Sequence, residues 1–306
     1  MKWIAFSLLC LSSCISATTP HPLSRLVERG VSTQSDTVLV IQRGEVLVDR
    51  ETTSKILDVF SITKSIVSLS VGILVDEKKI HSIDDPVYLW YPEWDQGAKR
   101  DITLRHLLTH TSGLQTEFSF KELFEAPDCV QQALDAPLMY KPGTKFLYNN
   151  KAINLLSGIV EKVARQRLDL FVRDRIFDPL QIEDFTWEID KSNHAFGHSG
   201  LSLRAKDLAK IGQLILQEGR WKEQTLISKE WLKLSMEPSH RLDPLCGLLW
   251  WRWEHPHAAS AAIGYLGQYL VIIPETQVIG VRQVSDSGTD SEDRFDDFPE
   301  LLLKLR

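Results

Sequence analysis

Hydrophobic residues dominate a run from Ser61 to Val75 that contains no proline and shows no single apolar face. A segment of this length that is apolar on all sides is typical of a buried helix, because surface helices keep one polar face and core strands are shorter. Asp76 and the charged residues after it end the run. The pattern therefore predicts a buried helix that begins at Ser61 and lies at the centre of the fold.

Shorter hydrophobic patterns predict strands near both chain ends and helices between them. Runs bounded by turn residues predict strands at residues 37–42, 45–49, 247–253, 267–273 and 276–284. Periodic apolar positions with capping residues predict helices at residues 22–30, 103–108, 154–165, 202–219 and 228–238, and a last one through 301–303. This order predicts an α+β fold, with a sheet built from both chain ends and a helical lobe inserted at about residues 80–240. A crevice between two such lobes is a usual place for a small-molecule site.

The first residues have the pattern of a targeting segment. A positive start is followed by an apolar stretch at residues 3–11 and by a candidate cleavage site at residues 15–17, which ends in the small residues Ser16 and Ala17. This pattern predicts a secretory signal over residues 1–17, which is too short to span a membrane, followed by one domain over residues 18–306.

The cysteines also bear on whether the protein is exported. Residues 11–14 resemble a bacterial lipobox, in which Cys14 would carry a lipid. We therefore expect an exported protein, periplasmic or secreted, that is either free or attached to a membrane through Cys14. Beyond the signal only Cys129 and Cys246 remain. Export would permit a bridge between them, but two cysteines so far apart in sequence do not form a disulfide framework.

Composition and charge narrow the function classes. The 306 residues are 43% hydrophobic and 25% charged, with a net charge of −6, so no basic surface points to nucleic acid. His106 and His110 have the i, i+4 spacing of a zinc pair, but no glutamate follows His106 and no third ligand is evident. We interpret both histidines as structural and expect neither a metal nor a cofactor. The residues leave the oligomeric state open.

Ser61 and Lys64 are a candidate nucleophile and its base. Ser61 stands where the helix would begin, so backbone N–H groups without helical partners converge there and favour a developing negative charge. Lys64 follows three residues later, on the same face of the helix. Burial favours a neutral lysine amine, which can take the serine proton. The same spacing also arises by chance in proteins of this size, usually with a solvated lysine.

Three segments in order carry a family resemblance. They are residues 60–65, residues 102–114 and residues 200–209. Together they resemble the serine hydrolases of the β-lactamase type. Within that superfamily they resemble the group related to class C β-lactamases, which includes esterases, D-amino-acid peptidases and 6-aminohexanoate-dimer hydrolase. The resemblance runs from about Thr37 to Val284. It implies a β-lactamase/transpeptidase-like fold, in which helices flank an antiparallel sheet.

The resemblance also implies roles for a second motif, Tyr148-Asn149-Asn150. In such a family Tyr148 would be the second half of the acid–base pair with Lys64. Asn150 would be the amide that orients the lysine and a substrate carbonyl. The alternative is an ordinary turn after Pro142-Gly143.

The family's third motif is altered here. The matching stretch runs from Gly264 to Gln268, with Tyr265 and Leu266 in place of a cation and a threonine. The resemblance implies that Gly264, Tyr265, Leu266 and Gly267 border the substrate, and that Gly267 allows its close approach. It also implies that the N–H groups of Ser61 and Gln268 form the oxyanion hole. Without the cation and hydroxyl, which would help to bind a carboxylate, efficient penicillin hydrolysis is disfavoured.

The sequence leaves two alternatives open for His198 and two for a group of tryptophans. His198 would line the cleft or only make hydrogen bonds within its loop. Trp250, Trp251 and Trp253 would either form an aromatic wall for an apolar acyl group or fill the core.

We therefore expect a serine hydrolase that cleaves a small-molecule ester or amide through an acyl-enzyme on Ser61. The alternatives are a β-lactamase or cell-wall D-amino-acid peptidase, and a binding protein that keeps the fold without turnover.

Overall fold

The structure is a computed structural model, and it describes residues 21–239, 242–243, 245–285 and 293–306. The predicted secretory signal, the lipid site at Cys14 and most of the acidic loop before residue 293 lie outside these residues. No helix among the described residues has both the length and the apolar character needed to cross a bilayer.

Strands lie near both chain ends and most helices lie between them, as the hydrophobic pattern predicts. The helices are α1 (Pro22–Ser32), α2 (Ile62–Asp76), α3 (Leu104–Leu108), α4 (Phe120–Glu125), α5 (Cys129–Asp135), α6 (Asn150–Ala164), α7 (Leu168–Val172), α8 (Ala205–Leu216), α9 (Lys229–Met236) and α10 (Phe298–Leu302). The strands are β1 (Thr37–Gln42), β2 (Glu45–Glu51), β3 (Leu57–Asp58), β4 (Thr186–Trp187), β5 (Leu201–Leu203), β6 (Arg220–Trp221), β7 (Gln224–Thr225), β8 (Trp251–Trp253), β9 (Ala259–Gly264), β10 (Gln268–Ile273) and β11 (Val278–Gln283).

The large sheet joins the two ends of the chain. Its strand order is β2-β1-β11-β10-β9-β8, and every neighbouring pair is antiparallel. Strand β1 pairs with β11 from Thr37 opposite Gln283 to Gln42 opposite Val278, so the first and last strands lie side by side at its centre. The prediction of an α+β fold with a sheet built from both termini is confirmed.

Both faces of this sheet are buried at its inner strands. On one face Leu39 and Leu270 pack in a core shared with α2, α6 and α8. On the other face Val38 and Val271 pack against α1 and α10. Because alternate residues of the inner strands enter different cores, β1, β10 and β11 are buried nearly throughout, whereas the edge strand β2 is mostly exposed.

Helix α2 is the centre of the larger core. Every residue from Ile62 to Leu74 is buried, which agrees with a run that is apolar on all sides. The helix packs against α6, α7 and α9 on one side and against strands β9 and β10 on the other. Its first turn therefore lies between the sheet and the helical part of the chain.

Several elements differ from the prediction. The strand expected at residues 247–253 is reduced to β8, because Leu249 has a positive φ that breaks an extended run. Strand β9 was not predicted, since its alanine-rich sequence lacks the β-branched residues that mark strands. Helix α8 begins at Ala205, because Ser202 is held in β5 opposite Asp58.

Candidate active site

Ser61 is the residue immediately before α2, and the backbone around it is unusual. Phe60 has a φ of 46°, a left-handed conformation that costs about 1–3 kcal/mol for a bulky residue. The Asp58 carboxylate holds that conformation by accepting a hydrogen bond from the Phe60 N–H at 2.7 Å. The Ser61 hydroxyl makes no capping bond to the helix. Its side chain is therefore presented to the cleft rather than used by the backbone.

Lys64 lies one turn further along α2 and reaches back to Ser61. Its Nζ is 2.8 Å from Ser61 Oγ and donates a second hydrogen bond to the backbone oxygen of His198 at 2.6 Å. The side chain is buried, with a relative exposure of 3%. The serine and lysine that the sequence pairs are thus in direct contact in the structure.

Tyr148 covers the lysine from the other side of the cleft. Lys64 Nζ lies over its ring, 5.0 Å from the centroid, a geometry in which an ammonium group is attracted to the aromatic face. The ring is held between His110, at 4.4 Å, and Trp251, at 6.3 Å between centroids. The hydroxyl makes no hydrogen bond to any described residue, so it is free to meet a substrate.

Asn150 begins α6 next to a second asparagine with a different task. Asn149 caps the helix: its Oδ1 accepts from the Ala152 N–H, and its Nδ2 donates to the Leu114 oxygen. Asn150 Nδ2 donates instead to Glu117 Oε1 at 2.6 Å. Its Oδ1 is buried and has no hydrogen-bond partner in the described part of the chain.

His198 is buried beside Lys64. Burial, with a smaller effect from the charge on Lys64, lowers the pKa of His198 to about 3, so the ring is neutral at physiological pH. Its Nδ1 is 3.1 Å from Asn154 Oδ1, which also accepts the Gly197 N–H. The ring packs against Phe124. The structure thus places His198 in the wall of the cleft and also within a hydrogen-bonded loop.

The turn after β9 corrects the expected third motif. Gln268 is fully buried in β10, where its side chain bonds both the oxygen and the N–H of Val284, and it does not line the cleft. Leu266 and Gly267 turn away as well, because their backbone oxygens accept hydrogen bonds from Arg282.

Gly264 and Tyr265 are the residues of this turn that border Ser61. A side chain at Gly264 would meet the Val59 oxygen at 2.3 Å, so glycine is what lets β9 approach the backbone before Ser61. Tyr265 packs edge-on against Phe60 with centroids 5.6 Å apart. Tyr265 comes directly after Gly264, the last residue of β9, and it lines the same cleft as Ser61. The close-approach glycine lies three residues earlier than expected.

A cleft of about 620 Å³ opens in front of these groups. Its aromatic lining consists of Phe60, Phe120, Phe124, Tyr148, Trp251 and Tyr265. Its polar lining consists of Ser61, Asn150, His198 and Ser199. Trp251 thus belongs to the wall, whereas Trp250 is buried in the core. An apolar cleft with a few convergent polar groups is typical of a small-molecule site.

The remaining candidates lie elsewhere. His106 caps α3 by accepting the Thr103 N–H, and His110 Nδ1 accepts the Asn149 N–H. Within the described ranges no group of three or more metal-ligating side chains is found. Cys129 and Cys246 are both buried free thiols.

Glu117 is a site residue that sequence reasoning missed. It stands in an irregular segment between α3 and α4, where a single glutamate gives no periodic or motif signal. Only the fold brings it to Asn150, which is 33 positions away. For Tyr265 the sequence did contain a signal. Gly264 and Gly267 are three residues apart, and either could be the glycine of the third motif.

The family comparison covers nearly the whole domain. The protein-family model described as "Beta-lactamase" matches residues 23–303. Esterase EstB from Burkholderia gladioli is 28% identical over 172 residues, which make up 48% of this chain and 43% of the esterase. The match therefore spans less than half the length of that relative.

Solved structures extend the comparison to the fold. A candidate 6-aminohexanoate-dimer hydrolase from Bacillus anthracis superimposes with a TM-score of 0.81 at 18% identity, over 90% of this chain and 80% of that one. EstCE1, a hydrolase with promiscuous acyltransferase activity, has a TM-score of 0.73 at 16% identity, over 92% of this chain and 97% of that one. At such identities the likeness concerns the fold alone, and it confirms the predicted β-lactamase/transpeptidase-like architecture.

Proposed function

The chain belongs to the beta-lactamase family of serine hydrolases, and on that premise we propose that it cleaves an ester or amide through an acyl-enzyme on Ser61. The observation that carries the proposal is the 2.8 Å contact between Lys64 Nζ and Ser61 Oγ at the base of an open cleft. A nucleophile within hydrogen-bond distance of a base is the arrangement that covalent catalysis requires.

The proposed reaction begins with proton transfer. After Lys64 has released one proton to solvent, its amine keeps its bond to the His198 oxygen and accepts the Ser61 hydroxyl proton across the same short contact. Ser61 Oγ then bonds to the carbonyl carbon. As the tetrahedral intermediate collapses, the proton passes to the leaving oxygen or nitrogen with the help of the Tyr148 hydroxyl. Water repeats the sequence on the acyl-enzyme and releases the acid.

We assign the oxyanion hole to the N–H groups of Ser61 and Tyr265. Ser61 precedes the first turn of α2, where N–H groups lack helical partners, and Tyr265 follows the end of β9. Both residues line the same cleft. Removing one donor from such a hole costs about 3–4 kcal/mol of transition-state stabilisation in well-studied hydrolases.

The cleft favours an apolar acyl group. Six aromatic side chains line it. With Gly264 as the close-approach glycine, Ala262 and Ile263 stand where a family member that binds a carboxylate would present a cation and a hydroxyl. An ester, or an amide without that carboxylate, therefore fits better than a β-lactam or the end of a cell-wall peptide. The similarity to an esterase agrees with this choice.

Labelling with a fluorophosphonate probe tests the proposal. We expect the probe to modify Ser61, and Ser61→Ala to abolish both labelling and hydrolysis of a p-nitrophenyl ester, with a loss of at least about a thousandfold. Ser65→Ala is the matched control, since Ser65 lies on the same helix and its hydroxyl donates to the Leu249 oxygen instead of contacting Lys64. Undiminished turnover by Ser61→Ala would rule the mechanism out, and ligand binding without acylation would point to a binding protein.

A further inference from the structure

We propose that Phe124 limits the size of the substrate, because its ring and that of Phe60 form a partition between the cleft and a second depression beside it. The inference rests on the proposed function and deepens it, since it names compact apolar esters or amides as the substrate class. The observation behind it is that two depressions of similar volume share these two side chains.

The second depression is a surface groove of about 740 Å³. Phe60 and Phe124 line this groove and also line the cleft of about 620 Å³ that contains Ser61. The other residues of the groove are Asp58, Trp187, Glu188, Ile189 and Phe196. Two depressions that share lining residues are neighbours, so a substrate group that reaches the partition from the cleft stops there.

The two sides of the partition differ in charge. The described side chains that line the cleft are apolar, aromatic or neutral polar groups. His198 is among the neutral ones, because burial lowers its pKa to about 3. The groove instead carries the carboxyl groups of Asp58 and Glu188. A substrate group therefore meets an acidic surface only if the partition is removed.

Packing holds the Phe124 ring in this position. Its centroid is 5.4 Å from that of Phe196 and 5.3 Å from that of His198. Its helix α4 is tied to α6 by Glu122, which accepts a hydrogen bond from the buried Lys151 at 2.6 Å. The residue is nevertheless 43% exposed. A ring that is held by its neighbours but remains this exposed is a fixed part of the surface between the two depressions.

Phe124 is the half of the partition that can be removed without disturbing the nucleophile. Phe60 directly precedes Ser61 and has the left-handed backbone conformation that Asp58 holds. Phe124 belongs to a different segment, α4, so its substitution leaves the backbone around Ser61 in place. We therefore expect Phe124→Ala to join the cleft to the groove.

Two pairs of esters test the size limit. p-Nitrophenyl butyrate and p-nitrophenyl decanoate differ in the acyl part, whereas methyl butyrate and decyl butyrate differ in the alcohol. We expect Phe124→Ala to raise kcat/KM for the long ester relative to the short one by at least about tenfold in one pair, because methylene groups that were excluded become buried. That pair shows which part of the substrate faces the partition. A ratio that changes in neither pair would overturn the inference while leaving the hydrolase intact.

Three further variants separate a lost partition from a loosened structure. Phe118→Ala is the matched control, since Phe118 precedes α4, is 82% exposed and lines neither depression. Phe124→Trp keeps a ring in the partition, so both variants should retain the original ratios. Phe124→Leu removes less of the ring and should raise the ratio in the same pair, so the test does not depend on the alanine variant alone. An equal rise in Phe118→Ala or in Phe124→Trp would contradict the assignment.

The acidic groove supplies a readout that general loosening would not change. In Phe124→Ala, a long ester that ends in trimethylammonium should be preferred over its neutral tert-butyl analogue by at least about twofold, because the cation reaches Glu188 and the ring of Trp187. Adding Glu188→Gln should return this preference to that of the unmodified protein. A preference that survives Glu188→Gln unchanged would show that the chain does not enter the groove.

Binding separates this inference from the proposed function. Calorimetry with Ser61→Ala, alone and combined with Phe124→Ala, compares the affinities for the long and short esters without turnover. If the unmodified protein hydrolyses none of the esters, the proposed reaction fails. The partition is then tested by Kd: at least a tenfold gain in relative affinity for one long ester supports it, and an unchanged ratio in both pairs overturns it.

Discussion

Polar side chains are buried on both sides of the large sheet, but they differ in whether their hydrogen bonds are satisfied. On the face covered by α1 and α10, Arg282 is 1% exposed and donates to Ser35 Oγ and to the backbone oxygens of Leu266, Gly267 and Thr33. On the side of the cleft, Asn150 and His198 are also hidden from water, but each has an acceptor atom that no described residue donates to.

The difference separates stability from function. A buried charge with several acceptors stabilises the chain around it, and here it fixes the oxygens of Leu266 and Gly267 directly after Tyr265. An unpartnered acceptor lowers stability and is retained where a ligand uses it. We therefore expect substitutions on the two faces to affect the free energy of unfolding very differently.

Arg282→Met gives the largest expected effect. It leaves the oxygens of Leu266 and Gly267 buried without a donor, at about 1–3 kcal/mol for each group, so we expect a loss of about 3 kcal/mol or more. Arg25→Met is the control on the same face, because Arg25 is half exposed and its ion pair with Asp297 is long, at 3.9 Å. Its loss should stay below about 1 kcal/mol. Denaturant unfolding measures both, and equal losses would remove the contrast.

The central helix and the serine–lysine pair could be predicted because they depend on neighbouring residues. A run that is apolar on all sides had to be buried, and two side chains three positions apart on a helix had to meet. The sheet built from both termini followed from the order of the patterns. These features depend on periodicity, which a single sequence displays.

The oxyanion donor and the acceptors depend on packing between distant segments. The prediction chose Gln268 because Gly267 matched the motif, yet Gly267 is needed for its φ of 77° and for room beside the Arg294 oxygen. Gly264, whose missing side chain admits the backbone before Ser61, offered the other register, and only the fold distinguishes the two glycines. The partners of Asn150 and His198 likewise come from other segments of the chain.

Acidification should lower the free energy of unfolding through the protonation of His198. The folded pKa of this histidine lies at about 3, against 6.5 for a free side chain, so below pH 6.5 only the unfolded chain takes up the proton. Stability from this group is complete above pH 6.5 and is lost as pH falls towards 3, by about 1.4 kcal/mol per pH unit. Unfolding measured at intervals between pH 7 and pH 4 should show this slope.

His198→Gln isolates the contribution of this group. Glutamine keeps an amide that can bond Asn154 but does not titrate, so the difference in stability between the two proteins should shrink as pH falls. His194 acts with the opposite sign, since a hydrogen bond to Glu161 raises its pKa and its contribution is lost as pH rises. A pH dependence that is identical with and without His198 would contradict its burial as a neutral ring.

Ser199→Ala gives the smallest expected change and compares the two conditions most directly. Ser199 is buried, and its hydroxyl has no hydrogen-bond partner among the described residues. Ser157 in α6 is also buried, but its hydroxyl donates to the Ala195 oxygen at 2.6 Å. Removing the paired hydroxyl should cost about 1 kcal/mol, because it leaves an acceptor without a donor. Removing the unpaired one should change the free energy of unfolding by less than about 0.5 kcal/mol, or raise it slightly. Denaturant midpoints of the two alanine variants measure this difference. If Ser199→Ala destabilises the chain as much as Ser157→Ala does, the hydroxyl is satisfied within the fold, and the cleft has one fewer polar group available to a substrate.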